Sequence, residues 1–153
     1  MALAVAGVAA AALALVAGGA LLDRATDEDP LAGGVVEFEA TLASPDSDAT
    51  ATVTGIATGI GRVVQVRSDD LAILPKGEFY EVWFVGPGDS NGSPNRISAG
   101  TFHPDANGRS AVDLTAAVDP ALYPGLSVTA EPGDGDPLPT GVEVLHADIE
   151  LDR

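Results

Sequence analysis

From residue 35 onward, apolar and polar positions alternate with a period of two, in short runs separated by turn residues. In Val35–Leu42, Val36, Phe38, Ala40 and Leu42 fall on one face, and Glu37, Glu39 and Thr41 on the other. This predicts a half-buried strand. Ala49–Ile56 is Thr-rich and alternates in the same way, and Arg62–Val66 is a third extended run. The richest run is Gly77–Gly86, which holds four of the seven aromatic residues, including the only Trp. Tyr80, Val82 and Phe84 share one face of it; Phe79, Glu81, Trp83 and Val85 share the other. Such a strand is expected to be central, covered on both sides and the anchor of the core, because each buried ring removes roughly 150–250 Å² from water. Arg96–Phe102, Ser110–Leu114 and Leu126–Ala130 are further short strands. Val142–Leu151 closes the chain, with Leu145, Ala147, Ile149 and Leu151 on one side.

The intervening segments have turn chemistry. Ser44–Asp48, Pro87–Pro94 and Pro132–Pro139 are rich in Pro, Gly, Asp and Ser, which favour turns for separate steric and hydrogen-bonding reasons. Asp105-Ala-Asn-Gly108 reads as a hairpin turn from which Ser110–Leu114 returns, since Asn-Gly tolerates positive φ. Asp69–Pro75 is an irregular apolar link, and Ala116–Tyr123 has room for one helical turn. About eight strands at roughly 8–12-residue spacing indicate an all-β fold: an antiparallel, immunoglobulin-like β-sandwich of about seven or eight strands over residues 35–153.

Before this region, Ala2–Leu22 contains only Ala, Val, Leu and Gly. About 21 residues at ~1.5 Å each match the ~30 Å hydrocarbon core of a bilayer, so residues 1–22 are expected to be one transmembrane helix. Asp23, Asp27, Glu28 and Asp29 follow, with Arg24 among them. Basic residues prefer the cytoplasmic side, so an acidic exit places the C-terminal domain outside the cytoplasm. Residues 23–34 then form an exposed juxtamembrane linker ending in Gly33-Gly34. Two other readings stay open. Val16–Ala20 offers small residues for signal-peptide cleavage, although no basic segment precedes the apolar run. An Ala-rich helix in a soluble core is the third reading.

Composition narrows the function more than it defines it. Lys and Arg total 7, Asp and Glu total 23, and the net charge is -16. Such a surface repels phosphate backbones, so no nucleic-acid partner is expected. Cysteine is absent, which removes disulfides, thiolate metal sites and a type 1 copper centre. The only histidines, His103 and His146, have no partner at ligand spacing. They read as a turn His and an outward strand His. Asp89/Asn91, Asp105/Asn107 and Asp134/Asp136 are acidic loops with nearby Gly, but none follows the twelve-residue calcium-loop pattern. No Ser lies in a Gly-x-Ser-x-Gly elbow, and carboxylates are too abundant for any pair to be informative. The sequence therefore offers no catalytic, cofactor-binding or metal residue, and no enzyme activity is expected.

Four segments, in order, resemble the extracytoplasmic domain of the anti-sigma-K factor family of bacteria. Leu74-Pro-Lys-Gly77 with Tyr80-Glu-Val-Trp-Phe84 is similar to that family's Leu-Pro, Gly and Tyr-Glu-Leu-Trp strand. Ser98-Ala-Gly-Thr-Phe102 and the Asp105–Gly108 turn follow. Leu126-Ser-Val-Thr-Ala-Glu-Pro132, with Gly133 and Pro137–Thr140, is similar to its Val-Thr-x-Glu-Pro ending. Together they span about Leu71–Leu145. The resemblance implies a layout in which a cytoplasmic helical domain sequesters a sigma factor, one helix crosses the membrane, and this domain lies outside. Proteolysis outside and then within the membrane would release the sigma factor. The implied function is regulation of sigma-factor-dependent transcription by a single-pass membrane protein, with processing proteases as partners. A sigma-factor partner requires an upstream cytoplasmic domain, and the sequence before Ala2 contains none. The alternative is a membrane-anchored or secreted, non-catalytic binding module.

Overall fold

The computed structural model describes residues 34–151. The expected membrane helix and linker lie outside the described residues. Eight strands follow one another: β1 (Val35–Ala43), β2 (Thr50–Thr58), β3 (Gly61–Ser68), β4 (Phe79–Val85), β5 (Arg96–Phe102), β6 (Ser110–Ala116), β7 (Gly125–Glu131) and β8 (Val142–Asp148). Every pairing is antiparallel, in the order β5-β4-β7-β8-β1-β2-β3-β6. The sheet consists of two four-stranded halves. Between them, β1 and β8 share a single register pair, Ala43 with His146. At the other side β5 and β6 lie against each other without a ladder, so the sandwich is a nearly closed barrel. No described helix is long and apolar enough to cross a membrane.

The core follows from the period-two faces. Tyr80, Val82 and Phe84 of β4 are buried together with Phe38, Leu42, Val53, Val64, Val66, Leu126, Val128 and Leu145. Each such side chain contributes on the order of 1.5–3 kcal/mol by leaving water. Phe38 lies opposite Gly55 in the register of β1 and β2. A Cβ on Gly55 would sit 2.1 Å from the Phe38 ring, so only glycine lets the ring lie flat across its neighbour. The ring then meets Phe84 edge to face, with centroids 6.2 Å apart. Tyr80 stacks at a tilt on Phe102, and its hydroxyl donates to the Ala72 carbonyl at 2.8 Å. That bond fastens the irregular link, whose Leu71 is also buried.

Two expectations need correction, and one strand departs from simple alternation. Val36 is not inward: it is 51% exposed, because a bulge between Val36 and Phe38 resets the alternation. The residue inside that bulge, Glu37, takes a bidentate pair from Arg62 of β3 (Nε to Oε2 2.5 Å, NH2 to Oε1 2.9 Å). The Asp105–Gly108 turn is tight, but it joins no hairpin. β5 pairs with β4, whereas β6 pairs with β3. Asn107 keeps a negative φ, and Gly108 alone supplies the positive value (+81°). Finally, β7 has no solvent face. Ser127, Thr129 and Glu131, which alternate with Leu126, Val128 and Ala130, are buried as well. Between β6 and β7, where one helical turn was expected, Leu122 and Tyr123 both donate to the Asp119 carbonyl and close a hydrogen-bonded turn instead of a helix.

Candidate functional site

The polar face of β7 is the most organised chemical feature of the domain. β7 lies between β4 and β8, so its side chains are flanked on both sides. Trp83 and Ser127 are register partners, and Glu81 lies opposite Thr129. Trp83, at 4% exposure, donates its indole Nε1–H to Thr129 Oγ1 at 2.8 Å. Indole N–H is donor-only, so the Thr129 hydroxyl accepts here and must donate elsewhere. It donates to Glu131 Oε1. The second carboxylate oxygen of Glu131 accepts three bonds from the following loop: Thr140 N (3.1 Å), Thr140 Oγ1 (3.3 Å) and Gly141 N (2.7 Å).

A carboxylate is acceptor-only, and four donors converge on Glu131. The direction of every bond is therefore fixed, from Trp83 through Thr129 to Glu131, and from the loop to Glu131. The chemical consequence is closure of the Pro132–Gly141 loop onto β7. Gly141 makes that approach possible, since a Cβ there would fall 2.0 Å from the Ala130 carbonyl oxygen. Asp134 and Asp136 hold the loop from within, accepting from Asp136 N and Leu138 N respectively.

Two carboxylates border this network. Glu81 accepts from Ser98 Oγ at 2.5 Å, and burial pushes its pKa above the ordinary range; the nearby Glu131 charge adds to the rise, while the Ser98 bond opposes it. Glu143 Oε2 accepts from Ser127 Oγ at 2.6 Å. At the other end of β5, Asp89 is clamped by Arg96 and also accepts from Asn95 N at 2.7 Å. The Arg96 bonds hold the Asp89 carboxyl below its ordinary range. The acidic loops considered for calcium thus spend their carboxylates on the chain itself. Asp105 likewise accepts from Asn107 N and Arg109 N and pairs with Arg109. Among the described residues, no three His, Asp or Glu side chains cluster as a metal site would require.

A separate, open cleft of about 880 Å³ is lined by residues that include Thr50, Arg67, Asp69, His103, Arg109 and Ser110. Ser, His and Asp side chains meet there, but not as a catalytic relay. His103 directs Nδ1 toward the Pro104 carbonyl and Nε2 toward that of Leu74. Ser110 Oγ is buried and contacts no hydrogen-bond partner, so no base touches it. His146 is exposed on β8, opposite Ser127.

The residues of the Trp83–Glu131 network come from segments far apart in sequence, and all lie in the stretches that resembled one family. A family model described as "Anti-sigma-K factor rskA, C-terminal" matches residues 5–144. The chain belongs to that family. No curated protein and no solved structure matches. For this member of the anti-sigma-K factor family, the structure gives the motif residues a physical role. Trp83, Thr129, Glu131, Thr140 and Gly141 are the bonded set that seals the loop after β7. Trp83 lies buried on the central strand, as expected, and β7 ends at Glu131. The bonds between them went unseen, because Trp83 and Thr129 are 46 positions apart. One available signal was the run Ser127, Thr129, Glu131 at period two on a strand whose other face is apolar. A Gly- and Pro-rich loop follows directly and is able to fold back over it.

Proposed function

We propose that this chain is the membrane-anchored, extracytoplasmic part of an anti-sigma system, acting through protein processing and not through catalysis. Residues 1–22 serve as a single-pass anchor, 23–34 as an exposed linker and 35–153 as the domain displayed outside the cytoplasm. The observation that carries this reading is the extent of the family match. From residue 5 to residue 144 it takes in the uncharged stretch, the linker and the β domain together. The family's name brings a sigma factor into the system, and its capture requires a helical domain upstream of the anchor, on the cytoplasmic side. The acidic linker Asp23–Gly34 offers a site to a processing protease, and Ala2–Leu22 is the substrate of a second, intramembrane cut. The tightly bonded β domain leaves the linker as the segment a protease reaches first.

Protease added to whole cells tests the arrangement. Cleavage in the linker that releases a stable β domain is the expected result. Protection of the domain until the membrane is permeabilised refutes it. A second reading, a displayed binding module without a sigma-factor role, is favoured by the cleft beside His103 and the unpartnered Ser110 hydroxyl. The mass of the native protein extracted from membranes separates the two. A mass well above 15.3 kDa favours the anti-sigma reading, and a mass matching the chain favours the binding module.

A further inference from the structure

We infer that Asn91 is a site of spontaneous covalent modification, where the Gly92 backbone nitrogen displaces the side-chain amide and water completes the conversion to aspartate and isoaspartate. The inference does not depend on the anti-sigma reading and concerns the loop between β4 and β5. An asparagine reacts in this way when the next residue has no Cβ to obstruct the approach and the peptide between them is free to rotate. The chain has three asparagines, Asn91, Asn95 and Asn107, and glycine follows the first and the third. Asn91 and Gly92 are the two exposed tip residues of a tight turn. An isolated bridge closes that turn, with Ser90 N donating to Ser93 O at 3.3 Å and Ser93 N to Ser90 O at 3.0 Å. Gly92 N–H donates to no described group, and beyond its chain neighbours no atom lies within 4 Å of the place a Cβ would take. The attacking nitrogen is therefore unpaired, and the turn is freed by opening two exposed bonds.

The other two asparagines are held. Gly108, the residue after Asn107, is buried at a φ of +81°, and its N–H donates to the Asp105 carbonyl at 3.0 Å. Asp105 Oδ1 also accepts from Asn107 N (2.8 Å) and Arg109 N (2.9 Å), so the peptides on both sides of Asn107 are fixed. Asn95 precedes Arg96, whose Cβ obstructs attack, and its own Nδ2 donates to the Pro87 carbonyl at 2.9 Å. Asp134-Gly135 shares the backbone pattern, but a carboxylate is a poor electrophile, and Asp134 accepts from Asp136 N. At Asn91 a solvent base takes the Gly92 amide proton, the nitrogen bonds to Asn91 Cγ, and the Cγ–Nδ2 bond breaks. The nitrogen leaves as ammonia, with its added proton supplied by water. Water then opens the cyclic imide. Cleavage between nitrogen and Cγ gives aspartate, and cleavage between nitrogen and the backbone carbonyl carbon gives isoaspartate joined through Cγ. Water enters, ammonia leaves and nothing is oxidised or reduced. Either product adds a negative charge at the tip. The Asp89 bonds to Asn95 N and Arg96 lie outside the tip and keep the entry to β5 in place.

The test warms the folded full chain at mildly alkaline pH and follows it by peptide mass spectrometry. Trypsin cuts after Lys76, Arg96 and Arg109, so Asn91 and Asn107 fall in separate peptides, Gly77–Arg96 and Ile97–Arg109. The expected result is a gain of about 1 Da on Gly77–Arg96, placed at position 91 by fragmentation. It should build up about tenfold faster than any gain on Ile97–Arg109, the factor set by the backbone bond that Gly108 must break. Gly92→Ala should suppress the gain with Tm unchanged, since the Cβ enters open space and Gly92 has no positive φ. Asp105→Ala, which releases the second turn, should bring the rate at Asn107 up towards that at Asn91. In urea the two asparagines of the parent should react at similar rates. Equal rates at Asn91 and Asn107 in the folded parent overturn the inference, as does a gain placed at Asn95 or one that persists in Gly92→Ala. A folded parent that stays unmodified at Asn91 while the urea-unfolded chain reacts also overturns it.

Discussion

Replacing Glu131 with Gln tests the central network with almost no change in shape. The amide oxygen can keep the position that accepts from Thr140 and Gly141. Its NH2 group then faces Thr129 Oγ1, which already receives the Trp83 N–H. The Thr129 hydroxyl can accept twice, but its own hydrogen loses its acceptor. The loss of one charge-assisted bond is worth about 1.5–3 kcal/mol. Two backbone bonds change from charged to neutral acceptors and weaken by roughly half. Uncharging a buried side chain returns part of this through a smaller desolvation cost. The net expectation is a loss of about 2–4 kcal/mol. Urea unfolding of residues 34–153 followed by fluorescence measures it directly, since Trp83 is the only Trp and belongs to the network. Hydrogen exchange supplies the second readout: the Thr140 and Gly141 amides should exchange much faster, while those of β2 and β3 change only with global stability. A Gln variant within about 0.5 kcal/mol of the parent, with both amides still protected, would refute the assignment of Glu131 as the loop's anchor.

The other consequences concern packing and titration. Gly55→Ala should cost about 2–4 kcal/mol, because its Cβ would meet the Phe38 ring at 2.1 Å and Phe84 blocks the ring's retreat. Thermal melting measures the loss, and adding Phe38→Leu should restore part of it. Asp89 has a depressed pKa through its Arg96 bonds, so its contribution is complete above the ordinary carboxylate range and is lost as pH falls through the folded value. Asp89→Asn should therefore lower stability at neutral pH and flatten the acid limb of the stability–pH curve, as read by Tm between neutral and strongly acidic buffers. Glu81 has the opposite sign. Its pKa is raised chiefly by burial, so its ionised form is penalised at neutral pH and relieved as pH falls through the raised value. Glu81→Gln should be neutral or stabilising at neutral pH, with the difference vanishing once Glu81 is protonated; a clear loss of stability at neutral pH would contradict this.

The strands were legible in the sequence wherever one rule governed them. Tyr80, Val82 and Phe84 share one face and are core, as the period-two reading of β4 required. The rule failed where a local irregularity or a distant partner intervened. Val36 was assigned inward because alternation carries no sign of a bulge, and one inserted residue reverses every face that precedes it. The Asp105–Gly108 turn was legible as a turn, since its Asp and Gly satisfy local bonds. Which strand each arm would join was not, because β6 finds its partner 42 residues upstream, where Ser68 faces Ser110.

The network shows why this chain's family motifs read as fold-defining and yet resist a purely local explanation. A buried carboxylate is tolerated only where donors surround it, and a single short segment does not supply enough of them. Glu131 draws its four from Thr129 and the loop that ends at Gly141, while Trp83 orients the Thr129 hydroxyl from another strand. Loss of any one member leaves a buried group unpaired in the others, which is costlier than the bond itself. The residues are therefore coupled, and a double-mutant cycle between Trp83→Phe and Thr129→Val should return an interaction energy of about 0.5–3 kcal/mol, well outside simple additivity. Such coupling keeps the loop shut over β7 without requiring any member to touch a ligand.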